Sequence, residues 1–431
     1  QRALPRGAAG SRPESWIHIE IDRVGDGELI DGLRHEIAAV LDDVRAAVDD
    51  GATMQQRMHE AHAELMTAPV AESDEAAAYL QWIAANNLVF LGYADYRAAP
   101  GESTLARVPG NSLGILRDAD HPGFGRCLAG IPGVVAELAK DPLPLILVKA
   151  DARATVHRAA YLDFIGVKRY DASGNIVGLR AFVGLYTAHV YHVTATEIPL
   201  LRRKIAAVRE AIGFLPRSHR DKTLINVLET YPRDELIEID REDLMRIARG
   251  IVSVYERERV RIFLRNDPWG RYVSAIVYMP RDRFDTSVRE RISALLCDTL
   301  AAERVDFFIM LGEARLARLH FIARTPVGSR YRYDAEAIER QVARIVRGWA
   351  DELKQNLVGH FGEERGNALL RRYSLELPLS YQERVTPASA VSDLERLEAA
   401  EGSGRVEVKL SATQADDGSH QHLKLFRRGR P

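Results

Sequence analysis

Between Arg259 and Val358 the spacing of apolar residues changes period in a fixed order, and that order most constrains what the chain can fold into. Arg259–Arg265 and Tyr272–Met279 read as strands on either side of Asn266-Asp267-Pro268-Trp269-Gly270, which has the composition of a turn. Val288, Ile292, Leu295, Leu296 and Leu300 then fall on one helical face. Val305–Leu311 and Leu316–Ala323 form a further hairpin around Gly312-Glu313-Ala314, and the spacing predicts a helix over about 335–358. The order ββαββα predicts four antiparallel strands with two helices on one face, a permuted relative of the ferredoxin-like plan.

Upstream, residues of about 74–215 read as another α+β domain. A short helix over Asp74–Ile83 carries acids in its first turn, where the helix dipole favours them. Val89–Tyr96 reads as a strand, 98–133 as a Gly- and Pro-rich loop, and Leu145–Val148, Tyr161–Arg169 and Ile176–Gly184 as further strands. Asp171–Asn175 joins the last two as a hairpin loop. A helix is predicted from about Ile198 to Ile212, and helical patterns at 219–230 and 241–257 lead into the next unit. Before this domain, Ser15–Asp22 alternates like a half-buried strand, which needs a sheet formed by other segments. Apolar residues from Ile30 to Val48 predict one helix, and Met54–Leu65 a second that Pro69 closes. After residue 360, helical patterns at 363–372 and 389–399 precede two strands at Arg405–Leu410 and Leu423–Arg427. Residues 1–13 read as a disordered tail. A start at Gln1 and a stop just after two strands lead us to expect a piece of a longer protein.

Composition excludes some classes. The net charge is −2, so there is no overall pull toward nucleic acid or anionic lipid, and we expect neither as a partner. No run approaches the ~18 apolar residues of a membrane span. Cys127 and Cys297 stand far apart and suit neither a disulfide framework nor a zinc site, which points to the cytoplasm. Catalytic signatures are missing. A dinucleotide fingerprint needs Gly-x-Gly-x-x-Gly between strand and helix. The nearest run, Gly402-Ser403-Gly404, lacks the third glycine and leads into a strand. His189 and His192, in a segment expected to be extended, would point to opposite faces and make a poor metal pair. Cys297 is a thiol without a positioned base. We therefore expect no catalytic, metal or cofactor-binding residue in this chain. Effector contacts are expected at Asn266, Asp267 and Gly270 in the turn, and at Lys168 and Arg169 beside the hairpin.

Several segments, in order, carry a resemblance. They are Ser15-Trp16-Ile17-His18-Ile19-Glu20-Ile21-Asp22-Arg23, Asn87-Leu88-Val89-Phe90-Leu91-Gly92-Tyr93, Arg217–Thr223, Ile225–Leu236, Arg261–Tyr272 and His422–Arg427. Together they resemble the N-terminal half of the large bacterial NAD-specific glutamate dehydrogenases, over about residues 14–431. The resemblance implies an α+β, multi-domain arm of ACT-like and PAS-like units. Residues 14–23 would be the last strand of a truncated first ACT-like domain, followed by a helical linker at 24–73. A PAS-like domain would span 74–215, a helical linker 216–257 and a second ACT-like domain 258–360. A helical linker at 361–404 would lead to the start of a third ACT-like domain at 405–431. It also implies that NAD and glutamate are bound by a catalytic domain of the same polypeptide beyond Pro431. This chain would then be an inactive regulatory segment of a homo-oligomer that responds to an amino-acid effector. The alternative is a stand-alone small-molecule sensor built from the same units.

Overall fold

The computed structural model describes residues 16–21, 27–98, 104–118, 134–257, 259–310, 315–326, 332–373, 377–415 and 418–427. They form two compact units that divide near residues 193–201. Among the described residues no helix is long and apolar enough to cross a membrane.

The first unit opens with α1 (Gly27–Thr67), a single helix of 41 residues where the spacing predicted two. Gly51 does not break it. A mid-helix glycine costs only about 1 kcal/mol, and Ala47, Met54, Met58, Ala61 and Leu65 on either side of it are all buried. α2 (Ser73–Trp82) follows, then β1 (Leu88–Ala98). The segment expected to be loop contributes β2 (Leu105–Arg107), β3 (Leu113–Gly114) and, beyond it, α3 (Val134–Lys140). β4 (Leu145–Arg153), β5 (Tyr161–Tyr170) and β6 (Ile176–Tyr186) complete an antiparallel sheet of order β2-β1-β6-β5-β4, with β3 on β1. β6 is central and buried from Leu179 to Tyr186. The one arginine in that stretch, Arg180, is matched by α1: Glu60 accepts from it at 3.1 Å and Glu64 accepts from its Nε at 3.2 Å.

One expectation is corrected here. His189 and His192 lie on α4 (Ala188–His192), a single helical turn rather than an extended run, and the His192 ring sits 2.7 Å from the Ala188 carbonyl oxygen. Residues 16–21 form no helix or strand, and no sheet among the described residues includes them. Trp16, Ile17, Ile19 and Ile21 stand exposed.

The second unit begins with α5 (Leu201–Ile212), α6 (His219–Glu229), α7 (Arg233–Glu238) and α8 (Arg241–Arg257). The expected limit of residue 215 for the middle domain falls after α5, which packs with α6 and α8 in this unit. Next come β7 (Arg261–Asn266), β8 (Tyr272–Pro280), α9 (Thr286–Thr299), β9 (Arg304–Met310), β10 (Leu316–Arg324) and α10 (Ala335–Phe361). The sheet order is β7-β8-β10-β9, antiparallel throughout, as the ββαββα order predicts. Asp285 and Asp334 cap α9 and α10 by accepting from the N–H groups of Val288 and Ala337. Both helices bury Val288, Ile292, Leu296, Ile338, Val342 and Val346 against the apolar face of the sheet. The opposite face is covered by the preceding helices. Gly250 of α8 sits so close to Phe263 of β7 that a Cβ would run into the ring.

α10 kinks at Gly348, whose φ of 77° is one glycine adopts without strain. Its second half packs Leu353 and Leu357 with α11 (Glu363–Tyr373), α12 (Leu379–Arg384) and α13 (Pro387–Ser403) in a separate core. β11 (Glu407–Ala415) and β12 (Gly418–Phe426) pair antiparallel. Asp393 of α13 holds them by accepting from Lys409 at 2.7 Å and Lys424 at 2.5 Å.

Candidate functional site

A cluster of ionisable side chains lies in the second unit, where α5 and α7 meet the sheet. Strand alternation builds its floor. Phe263 and Arg265 of β7 stand in register with Ile276 and Ser274 of β8, which in turn face His320 and Ile322 of β10. Their neighbours Ile262, Leu264, Val273, Ala275, Leu319 and Phe321 point into the apolar core on the other side.

Arg265 is only 2% exposed, so its charge needs a partner inside the protein. α7 supplies it. Arg265 Nε and Nη2 donate to the two carboxylate oxygens of Glu235 at 2.6 and 3.0 Å, the fork-on-fork geometry that suits a guanidinium. Burial alone would raise the Glu235 pKa, but the Arg265 charge outweighs it and holds the carboxyl below its usual range. Glu238, near the end of α7, accepts a short hydrogen bond from the Tyr272 hydroxyl. Here burial wins, and the Glu238 pKa is pushed up to about 7 despite Tyr272 and Arg265. Lys204 of α5 donates to the carbonyl oxygens of Leu236, Ile237 and Ile239 at 3.0, 3.0 and 2.7 Å. These lie at the C-terminal end of α7, where carbonyls lack partners within the helix. Burial, then the nearby Arg265 charge, pushes Lys204 down to about 8.

Ser274 Oγ and His320 Nε2 are 2.9 Å apart, the spacing of a nucleophile and its base. The arrangement does not extend to a triad. Glu235 approaches the same ring nitrogen, at 3.9 Å, whereas an orienting carboxylate must hold the other one. Both residues are also buried, at 1% and 7% exposure, and burial keeps His320 below its ordinary pKa. The cluster acts as a polar joint that fixes α5 and α7 to the sheet.

The Glu238 shift has a measurable consequence. A carboxyl whose folded pKa is raised contributes stability that is fully present below its ordinary value of 4.5 and is lost as pH rises through about 7. Glu238→Gln removes that dependence. The stability advantage of the native chain over the variant is expected to fall by about 2–3 kcal/mol between pH 4.5 and 7. Urea unfolding of both proteins across this range checks it, and a constant difference would refute the assignment.

The residues predicted as effector contacts fall in both units. In the β7–β8 turn, Asp267 is 2% exposed and its carboxylate accepts from Arg271 N, Nε and Nη2 at 3.0, 2.8 and 2.9 Å. Gly270 has φ 66° and donates to the Asp267 carbonyl at 2.9 Å, and Asn266 is exposed at the end of β7. In the first unit, Lys168 is buried and donates to the Asp141 carbonyl at 2.7 Å. Arg169 turns to the other side of β5, towards Glu64 at 3.3 Å and Asp95 at 3.6 Å. The Lys204–Glu235–Glu238–His320 cluster escaped sequence reading. Its one local signal is that Arg265, Ser274 and His320 are polar residues set inside strands that are otherwise apolar.

Gly404 is the left-handed cap of α13, with φ 68°, so Gly402-Ser403-Gly404 ends a helix rather than opening one onto a phosphate. Cys297 donates to the Ala302 carbonyl at 2.9 Å. A groove of about 450 Å³ runs beside α10, lined by Ala337, Arg340, Gln341, Ala343, Arg344 and Arg347.

The arrangement of helices around this sheet has counterparts among known proteins. Residues 198–257 match helical motif 1 of glutamate dehydrogenase, 261–350 its ACT2 domain and 356–400 its helical motif 2. The NAD-specific glutamate dehydrogenase of Halomonas elongata is 36% identical over 97% of this chain and 26% of its own length. That of Pseudomonas aeruginosa is 31% identical over 99% of this chain and 27% of its own length. For Mycobacterium tuberculosis the figures are 27% identity over 98% of this chain and 26% of the relative. The chain thus spans about a quarter of the length of the curated relatives it matches, and it is a partial counterpart of those proteins.

Proposed function

We propose that this chain, which matches helical motif 1, the ACT2 domain and helical motif 2 of glutamate dehydrogenase in that order, is the regulatory and assembly arm of an NAD-dependent glutamate dehydrogenase. The whole protein would convert L-glutamate, NAD and water to 2-oxoglutarate, ammonium and NADH. Glutamate and NAD would be bound by a catalytic domain of the same polypeptide outside residues 1–431. The observation that carries this reading is the buried cluster beneath α7. Its charges are spent on one another and on helix ends, which suits a rigid joint.

The same reading assigns the segment 16–21 to a first ACT-like domain, the sheet at 88–186 to a PAS-like domain and the β11–β12 hairpin to a third ACT-like domain. Support for the first and last comes from their exposed apolar residues: Ile17, Ile19 and Ile21 in the one, and Val408, Leu410, Leu423 and Leu425 in the other. The protein would be a bacterial homo-oligomer, work in the cytoplasm in amino-acid catabolism, and respond to an amino-acid effector. Effector contacts are proposed at Asn266, Asp267 and Gly270, and at Lys168 and Arg169, with Asp267, Lys168 and Arg169 exchanging the partners they now hold. The test is NAD reduction at saturating glutamate, comparing this chain with the complete reading frame that contains it. Activity in the longer protein alone is the expected result. Activity in this chain, or in neither, would overturn the reading.

A further inference from the structure

Local pattern and fold disagree on where α5 begins, and such a conflict marks a place where strain is stored. The spacing predicts the helix from about Ile198. Pro199 suits a first helical position, where the N–H it lacks has no helical partner and its fixed φ is already helical. In the structure α5 starts at Leu201, and Pro199 and Leu200 form a turn ahead of it. Leu200 has a φ of 67°. Among the described residues it is the one large apolar side chain in the left-handed region, which glycine or asparagine ordinarily fills. For leucine that conformation is disfavoured roughly 5–30-fold.

A residue so placed persists only where its surroundings hold it. Glu75 of α2 is 3% exposed, and its carboxylate accepts from the Leu200 N–H at 2.9 Å. Upstream, Glu229 of α6 accepts from the Ala195 N–H at 2.7 Å and from the Thr196 hydroxyl at 3.2 Å. Ile198, Leu200 and Leu201 are all buried, so side-chain packing fixes the turn as well. With Ala195 and Thr196 pinned, the strain at Leu200 can relax only toward α5.

We propose that Leu200 is a strained switch residue and Glu75 its catch: when the carboxylate lets go, Pro199 and Leu200 join α5 and lengthen it at its N-terminus. A change at α2 thereby reaches α5 through the chain itself. Lys204, whose ammonium group holds three carbonyls at the end of α7, lies in the first turn of the helix that lengthens. The first N–H groups of a helix have no acceptor within it. The carbonyl four residues before Arg203 is that of Pro199, outside the helix as it stands and inside it once it grows. The switch operates within this chain and needs no catalytic domain, so its failure would leave the proposed function standing.

Hydrogen exchange read residue by residue on the full chain tests it, with Glu75→Ala as the first variant. The Leu200 N–H should exchange faster, having lost its acceptor. The Arg203 N–H should exchange about fivefold more slowly or better, the bias released with the strain. Leu200→Pro denies the residue both its positive φ and its N–H, so it should slow Arg203 with Glu75 in place. It also decides the matter if Glu75→Ala does not fold. Slower exchange at Arg203 in either folded variant supports the switch. Arg203 exchange that is unchanged or faster in every folded variant overturns it, and Glu75 is then a fixed anchor of the turn.

Discussion

Arg265→Ala is expected to destabilise the second unit by about 3–5 kcal/mol, because it leaves the Glu235 carboxylate buried without its partner. The two side chains are 2% and 3% exposed and are joined by two hydrogen bonds, so water cannot replace the lost guanidinium. The pair itself need not add net stability, since each charge was costly to bury. Hence the double replacement Arg265→Met with Glu235→Leu should recover at least half of the loss. Ser274 and His320 keep each other as partners in that background, at 2.9 Å. Denaturant unfolding of the two single variants and the double variant measures the coupling. Additive losses would mean that the pair is not a unit, and the account of α7 as ion-paired to the sheet would fail.

Lys204→Met should cost about 2–4 kcal/mol at pH 7, from three backbone carbonyls that lose their donor together. The methionine keeps most of the apolar stem, so the loss reports the ammonium group rather than packing. The pH dependence runs in the opposite sense to that of Glu238. Lys204 is held at about 8 in the fold against an ordinary 10.5, so the folded state binds fewer protons than the unfolded state between those values. Stability from this group therefore rises with pH across that window, by up to about 1.4 kcal/mol per pH unit. The deficit of Lys204→Met is expected to be larger at pH 10 than at pH 7. Urea titrations at the two values decide it, and a deficit that shrinks would show that the lysine is not held below its ordinary pKa.

Both predictions concern groups invisible to any local pattern. Lys204 looks in sequence like a solvent-facing residue of an amphipathic helix, and α7, which carries Glu235 and Glu238, did not register as a helix at all. It is six residues long, too short for helical spacing to stand out. The effector candidates illustrate the converse. Asp267 and Gly270 were legible as a turn because turn chemistry is local, yet only the folded chain shows that Arg271 occupies the Asp267 carboxylate.

What the sequence by itself determined is the set of elements whose burial repeats at a fixed period. Helix α8 falls at 241–257 as predicted, and strands β8 and β10 within a residue of their predicted ends, because a strand buried on one face or a helix buried on one stripe writes that geometry into its composition. Only the tertiary structure decided what covers the second face of the β7–β10 sheet and why Arg265 can be buried there. The joining of two predicted helices into α1 also belongs there, since packing on both sides of Gly51 outweighs its weak helix propensity. The physical reason is common to these cases. Period is a property of neighbours along the chain, whereas charge pairing, sheet coverage and helix continuity depend on groups that only folding brings together.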